Sequence, residues 1–107
     1  MKIIVRSAVR TDLPALLALY SELNPDDAPL PQEKADATWA TISGQHGRTV
    51  LVAEAEGVVV GTADCLVMPN LTRGGRAILF VENVVHTFYA SCGFQRRAEG
   101  FRHYIER

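Results

Sequence analysis

The sequence predicts a mixed α/β domain in which helices pack on a mostly antiparallel sheet. Three observations carry this reading. Apolar residues alternate in some stretches and recur every three to four residues in others, so both strands and helices are written into the chain. The order runs strand, helix, helix, three strands, helix, strands, which fits helices laid on a sheet better than an all-helical or all-strand architecture. Two strand patterns also meet across Glu56-Gly57, the signature of a tight antiparallel hairpin.

Taken in order, Ile3-Ile4-Val5 followed by Arg6-Ser7-Ala8 reads as the first strand. Thr11 or Asp12 stands where a helix N-cap is needed, and Pro14 is tolerated in the first turn that follows. Leu13, Leu16, Leu17, Tyr20 and Leu23 recur at helical spacing and give one apolar face. Asn24 precedes Pro25 and ends that helix, since the residue before a proline avoids helical geometry. Asp26 and Asp27 read as a turn-forming acidic loop, which runs on through Pro29 and Pro31. A second helix is expected from Gln32 to Ser43, with Ala35, Trp39 and Ile42 on one side and Gly44 and Gly47 punctuating its end. Val50–Glu54 and Val58–Met68 are the strands of the hairpin, the second twisted or bulged near Gly61. Arg73-Gly74-Gly75-Arg76 reads as an ordinary turn. Ala77–Val85 is the next strand, and His86–Phe94 a short helix that His86 caps or starts and Gly93 ends in a left-handed conformation. Gln95–Arg97 and Phe101–Ile105 close the chain as weaker strands.

Composition narrows the function classes. The 107 residues are 48% hydrophobic with a formal net charge of -1, which suits one small domain with a modest core spanning 1–107. A charge balance so close to neutral leaves no electrostatic footprint for nucleic acid. The basic cluster of Arg96, Arg97, Arg102 and Arg107 reads as a solvated face. No apolar run approaches the ~20 residues of a membrane span, and Arg6 and Arg10 interrupt the N-terminal apolar stretch, so no signal peptide is expected. Cys65 and Cys92 are read as buried free thiols in a reducing cytoplasm. No Cys/His spacing suggests a metal site.

Local sequence is more specific than element order. Ile4-Val5-Arg6-Ser7-Ala8 with Asp12-Leu13-Pro14, the hairpin Val52-Ala53-Glu54 … Gly57-Val58-Val59-Val60-Gly61-Thr62-Ala63, the strand Val81-Glu82-Asn83-Val84-Val85 and the FYxxxGF segment Phe88-Tyr89-Ala90-Ser91-Cys92-Gly93-Phe94 together resemble the GCN5-related N-acetyltransferases, the GNAT family. The resemblance implies transfer of an acetyl group from acetyl-CoA, as co-substrate, to a small-molecule or peptide amine. It implies that the main chain of Val84 and Val85 pairs with the pantetheine arm and that no metal takes part. It implies Glu82 as general base and Tyr89 as the acid that protonates the departing thiolate. The chemistry gives both roles a reason: an amine must be neutral to attack a thioester, and a thiolate leaves more readily beside a hydroxyl donor.

One part of the family pattern is missing. The Arg/Gln-x-x-Gly-x-Gly/Ala turn whose backbone N–H groups hold the cofactor pyrophosphate should follow Val85, with a helix and a strand behind it. Here the FYxxxGF segment follows directly, a shortening of roughly forty residues that is too large for loop variation. The fold expected is therefore a shortened GNAT-like domain with its fourth strand left at a sheet edge, open to a homodimer through Ala77–Val85. The alternative function is a non-catalytic GNAT remnant that serves as a dimerisation or protein-interaction module.

Overall fold

The computed structural model describes residues 2–87 and the strand Phe101–Tyr104, the latter as backbone. Strand β1 (Ile3–Ser7) leads through a short 3-10 turn at Arg10–Asp12 into helix α1 (Leu13–Leu23), and helix α2 (Gln32–Ser43) follows. Strands β2 (Arg48–Ala55), β3 (Val58–Met68), β4 (Ile78–His86) and β5 (Phe101–Tyr104) complete one five-stranded sheet in the order β1-β2-β3-β4-β5. Every neighbouring pair is antiparallel.

Directly paired residues share a face, so the register sorts the sheet. Arg48, Val50 and Val52 of β2 oppose Leu66, Asp64 and Thr62 of β3, which in turn oppose Phe80, Glu82 and Val85 of β4. This is the face the helices cover. Leu13 and Leu16 of α1 pack on Val50 and Val52, flanked by Tyr20, Trp39, Ile42 and Val59. Leu16 and Val52 are the most deeply buried large side chains, at 2% and 0% exposure. The opposite face carries Val5, Leu51, Ala53, Ala63, Cys65 and Val67, of which Val5 is largely exposed.

Turn chemistry sets the hairpin. Ala55 pairs with Val58 around Glu56 and Gly57, whose φ values of 52° and 81° are those of a type I′ turn. The bulge expected near Gly61 falls on its neighbour. Ala53 pairs with Gly61 and Glu54 with Val59, so Val60 is the extra residue. Gly47 is the other position with no alternative residue: its φ is 82°, a Cβ there would run into the Val67 carbonyl, and its own carbonyl accepts the Val67 N–H at 2.8 Å. This clamp brings the chain out of α2 directly beside β3, which is why β2 begins at Arg48, ahead of the expected Val50.

Three expectations are corrected. Asp12 occupies the N-cap position of α1 but makes no side-chain cap bond there. Its carboxylate instead accepts the Val9 N–H at 2.7 Å and both terminal nitrogens of Arg6 at 2.8 and 2.9 Å. His86 does not start a helix; it is the last residue of β4, opposite Gly61, and Thr87 continues the pairing by donating its N–H to Val60 at 3.0 Å. The sheet edge expected at Ala77–Val85 is only half open, because β5 pairs with Ile78–Val81. Only Glu82–His86 lacks a second neighbouring strand among the described residues. The helix expected to Phe94, the strand Gln95–Arg97 and Cys92 lie outside the described residues.

The Arg6 guanidinium links β1 to the start of α1 and, through Glu54 at 3.1 Å, to β2. Its hydrogen bonds hold the buried Asp12 carboxyl below its ordinary value of 3.8. A depressed carboxyl stabilises the fold above its unfolded value, and that stabilisation is lost as pH falls through the folded value. Asp12→Asn is therefore expected to lower the melting temperature at pH 7, with the gap to the parent protein closing as pH drops below about 4. Thermal melts across pH 2–7 read this directly, and a gap independent of pH would show that the Asp12 charge contributes nothing. Gly47→Ala should cost about 1–3 kcal/mol, from the φ penalty and the displaced Val67 carbonyl, as measured by chemical denaturation.

Candidate active site

The site is built around an irregularity in β4. Thr62 pairs with Val85 and Asp64 with Glu82, so Asn83 and Val84 together oppose the single residue Ala63. Asn83 takes φ 52°, a left-handed conformation that asparagine tolerates better than most side chains. The bulge bends the strand and strengthens its local twist. Beyond it, β4 stays on β3 through Thr87, whose N–H and Oγ1 both donate to the Val60 carbonyl at 3.0 and 3.2 Å. Hydrogen-bonded pairs in an antiparallel ladder recur at every second residue. Thr87 opposite Val60 and Val85 opposite Thr62 are then the bonded pairs, and the main chain of Val84 and His86 faces the side away from β3. No described strand covers that side.

Glu82 precedes the bulge and lies on the helix-covered face, exposed at the mouth of a groove of about 440 Å³. The groove is walled by Arg48, Asp64, Leu66, Met68, Phe80 and Asn83. Among the described residues nothing makes an ion pair or hydrogen bond to the Glu82 carboxylate. Three of those walls, Arg48, Asp64 and Asn83, also form the polar end of a second cleft, of about 140 Å³, between α1, α2 and the sheet. The remainder of that cleft is mostly apolar, with Leu13, Leu17, Leu30, Trp39 and Ile42 on it beside Tyr20 and Thr38. The two recesses thus adjoin across the shared wall of Arg48, Asp64 and Asn83, one narrow and mostly apolar at the helices, the other open at Glu82.

Where they meet, charge is fixed by a bidentate ion pair. Arg48 Nε donates to Asp64 Oδ1 at 2.9 Å and Nη2 to Oδ2 at 2.5 Å, while Nη1 donates to Gln45 Oε1 at 3.0 Å. Asp64 is buried, and the Arg48 guanidinium is held further up by that bond. Burial pushes the Tyr20 phenol up beside Thr62 and the same pair; the hydroxyl of Thr62 is anchored on the Leu51 carbonyl at 2.8 Å. Cys65, the neighbour of Asp64, points to the other face; it is free and half-buried, and burial raises its thiol. It has no place in the concavity.

Comparison with known proteins agrees with this layout. No protein-family model matches the sequence, and no curated protein matches it. Solved structures do. A "Putative acetyltransferase from Agrobacterium tumefaciens str. C58" superposes with a TM-score of 0.74 at 46% identity, over 78% of this chain and 58% of that one. This is the GNAT acetyltransferase fold. An acetyltransferase of Trypanosoma brucei shares the GNAT fold at a TM-score of 0.65 and 29% identity, over 87% of this chain and 66% of that one. AAC(6′)-Iy, solved with a CoA-containing bisubstrate analogue, does so at 0.63 and 22% identity, over 87% and 63%. The chain therefore spans somewhat less than two thirds of the GNAT proteins it matches.

Of the residues singled out in the sequence, Glu82, Val84 and Val85 come together around the β4 bulge, but the Val85 main chain, expected beside that of Val84 on the open side, faces β3 instead; Tyr89 lies outside the described residues. Asp26 and Asp27 are exposed in the loop after α1, with the Asp27 N–H closing a turn onto Asn24 at 3.2 Å. Arg73–Gly75 is a short turn ahead of β4, eight residues or about 26 Å of extended chain from Asn83 at the bulge. The described residues accordingly leave the Val84 and His86 side of β4 without a neighbouring strand and offer no cradle for a pyrophosphate. Sequence reading passed over Tyr20, Arg48, Asp64 and Asn83. A carboxylate in the middle of the apolar run Val58–Met68 is the signal that was available, because a buried Asp requires a partner.

Removing that partner separates two explanations of the pair. Arg48→Met leaves Asp64 buried and uncompensated and should cost about 3–5 kcal/mol, whereas Arg48→Met with Asp64→Leu should recover most of the loss. Urea denaturation of the four proteins of the double-mutant cycle measures the coupling, and additive losses would show that the pair holds nothing together.

Proposed function

We propose that the chain is an acetyl-CoA-dependent N-acetyltransferase of GNAT type whose acceptor amine is deprotonated by Glu82. The observation that carries this reading is the β4 bulge. One irregularity both presents the exposed Glu82 carboxylate to a concavity on the helix-covered face and turns the Val84 main chain toward the open side of the strand. A base and a docking edge two residues apart on one strand suit a reaction in which an amine meets an extended thioester arm.

In this mechanism the substrate ammonium enters the groove and gives a proton to Glu82. The freed lone pair attacks the thioester carbonyl, the N–C bond forms, and the C–S bond breaks as the tetrahedral intermediate collapses. The electron pair leaves on sulfur, Tyr89 supplies the proton to that thiolate, and the second proton of the attacking nitrogen passes through water to the Tyr89 phenolate, which leaves a neutral amide and the phenol restored. Arg48 acts at one remove: by neutralising Asp64 it leaves Glu82 as the single uncompensated carboxylate among the described residues that line the groove. The Val84 main chain aligns the pantetheine arm, with Val85 fastening β4 to β3 behind it. The fold relation to AAC(6′)-Iy and to the glucosamine-6-phosphate N-acetyltransferase of Arabidopsis thaliana supports amine acetylation as the reaction class.

Calorimetric titration with acetyl-CoA, beside free CoA, is the first test. Saturable binding is expected; no binding by a folded protein would set the transferase reading aside in favour of a non-catalytic module. With turnover in hand, Glu82→Gln should lower kcat/KM by about 10²–10⁴ at neutral pH, with the deficit shrinking as pH rises toward the acceptor's own pKa. Tyr89→Phe should lower kcat. Unchanged rates would remove each residue from its role.

A further inference from the structure

The concavity also specifies what kind of amine it suits. Resting on the reading of Glu82 as the ammonium-facing base, we infer that the acceptor is a small monoamine with a compact apolar body, an arylalkyl or branched alkyl amine, seated with its body between α1 and α2.

Size gives the first argument. The inner cleft of about 140 Å³ matches the roughly 150 Å³ of an apolar cavity that accepts benzene, so it has room for one ring or a short branched chain and little else. Lining chemistry gives the second. Leu17, Leu30 and Ile42 offer no hydrogen-bond partner, and the polar atoms of the inner wall, on Tyr20, Thr38 and Trp39, are too few for the hydroxyls of a sugar body, so most of those would be dehydrated there without return. Charge gives the third. Among the described residues Arg48 is the only basic side chain lining either recess, and its donors are directed to Asp64 and Gln45, so none of the described cations there is left over for a substrate phosphate or carboxylate. With Asp64 neutralised by Arg48, one net negative charge remains, on Glu82, which matches a single ammonium rather than a polycation. Phosphorylated amino sugars, aminoglycosides and polyamines each violate one of these three conditions.

Trp39 is the only tryptophan of the chain and lies on the inner cleft, so its fluorescence reports occupancy without any need for turnover. The probes are 2-phenylethylamine, its uncharged analogue 2-phenylethanol, glucosamine 6-phosphate and spermidine. A saturable Trp39 response to 2-phenylethylamine is expected, about tenfold tighter than to 2-phenylethanol. Glu82→Gln should weaken the amine about tenfold and leave the alcohol unchanged. Leu17→Phe, which fills the cleft, should abolish both responses. Thr38→Phe, on the exposed side of α2 at the same cleft, serves as the second occluding variant should Leu17→Phe fail to fold. No Trp39 response to the arylalkylamine, or tighter binding of spermidine or glucosamine 6-phosphate, overturns the inference. Glu82-dependent binding of 2-phenylethylamine without acetyl transfer upholds the ligand class and overturns the transferase reading. Acetylation of polar amines that neither occluding variant slows does the reverse.

Discussion

The Asp64 carboxylate is the constraint around which the rest of the site is arranged. It sits on the middle strand of the sheet, under the helices, at 7% exposure. A charge there is tolerable only with a partner of matching geometry, because desolvating a lone carboxylate costs several kcal/mol. Arg48 provides that geometry by placing two parallel N–H groups on the two oxygens, and Gln45 takes a further guanidinium donor. For Arg48 to reach Asp64, β2 must start immediately after the turn at Gly47, and that turn must lie against Val67. A left-handed glycine, an early strand start and a buried ion pair are therefore one requirement expressed at three positions.

The ion pair also governs the chemistry available next to it. Arg48 and Asp64 border both recesses, so they make the boundary between an apolar pocket and a polar groove. Were the guanidinium free, the groove would attract anions; bound to Asp64, it does not. Among the described residues the charge left uncompensated on the groove is that of Glu82. The bulge at Asn83 completes the arrangement, since without the extra residue the alternation along β4 would move either Glu82 or the Val84 main chain to a different side. Side-chain placement and backbone exposure are set by the same irregularity.

The sequence made the regular part of this molecule legible and the irregular part only by resemblance. Leu13, Leu16, Tyr20 and Trp39 repeat with helical spacing because they fill a face, and both helices are found at the residues where that spacing and the adjoining Asn-Pro and Gly signals put them. The Glu56-Gly57 turn needs two positive φ values, and the pair announces it. Other features depend on contacts distant in sequence. Asp12 looks like a helix cap in isolation, yet Arg6 and the Val9 N–H capture its carboxylate. The Asp64 partner lies sixteen residues away on the neighbouring strand, and only the register identifies it. The Asn83 bulge depends on how β3 and β4 align, which local propensity does not encode. Glu82 was reachable because the Val81–Val85 strand resembles a known family.

The shortening after β4 changes how the sheet ends. Fourteen residues connect His86 to Phe101, where the family pattern expects a turn, a helix and a further strand. β5 instead returns antiparallel to β4 and pairs with Ile78–Val81, where the strand is most apolar. Its four residues stop at the position before Glu82. Longer pairing would carry β5 across the bulge and consume the open side beside Val84; shorter pairing would leave Ile78–Val81 as an apolar edge prone to association. The observed register satisfies the hydrogen bonds of the apolar half of β4 while leaving the bulged half accessible, so the strand that guards against aggregation also marks where the candidate site begins.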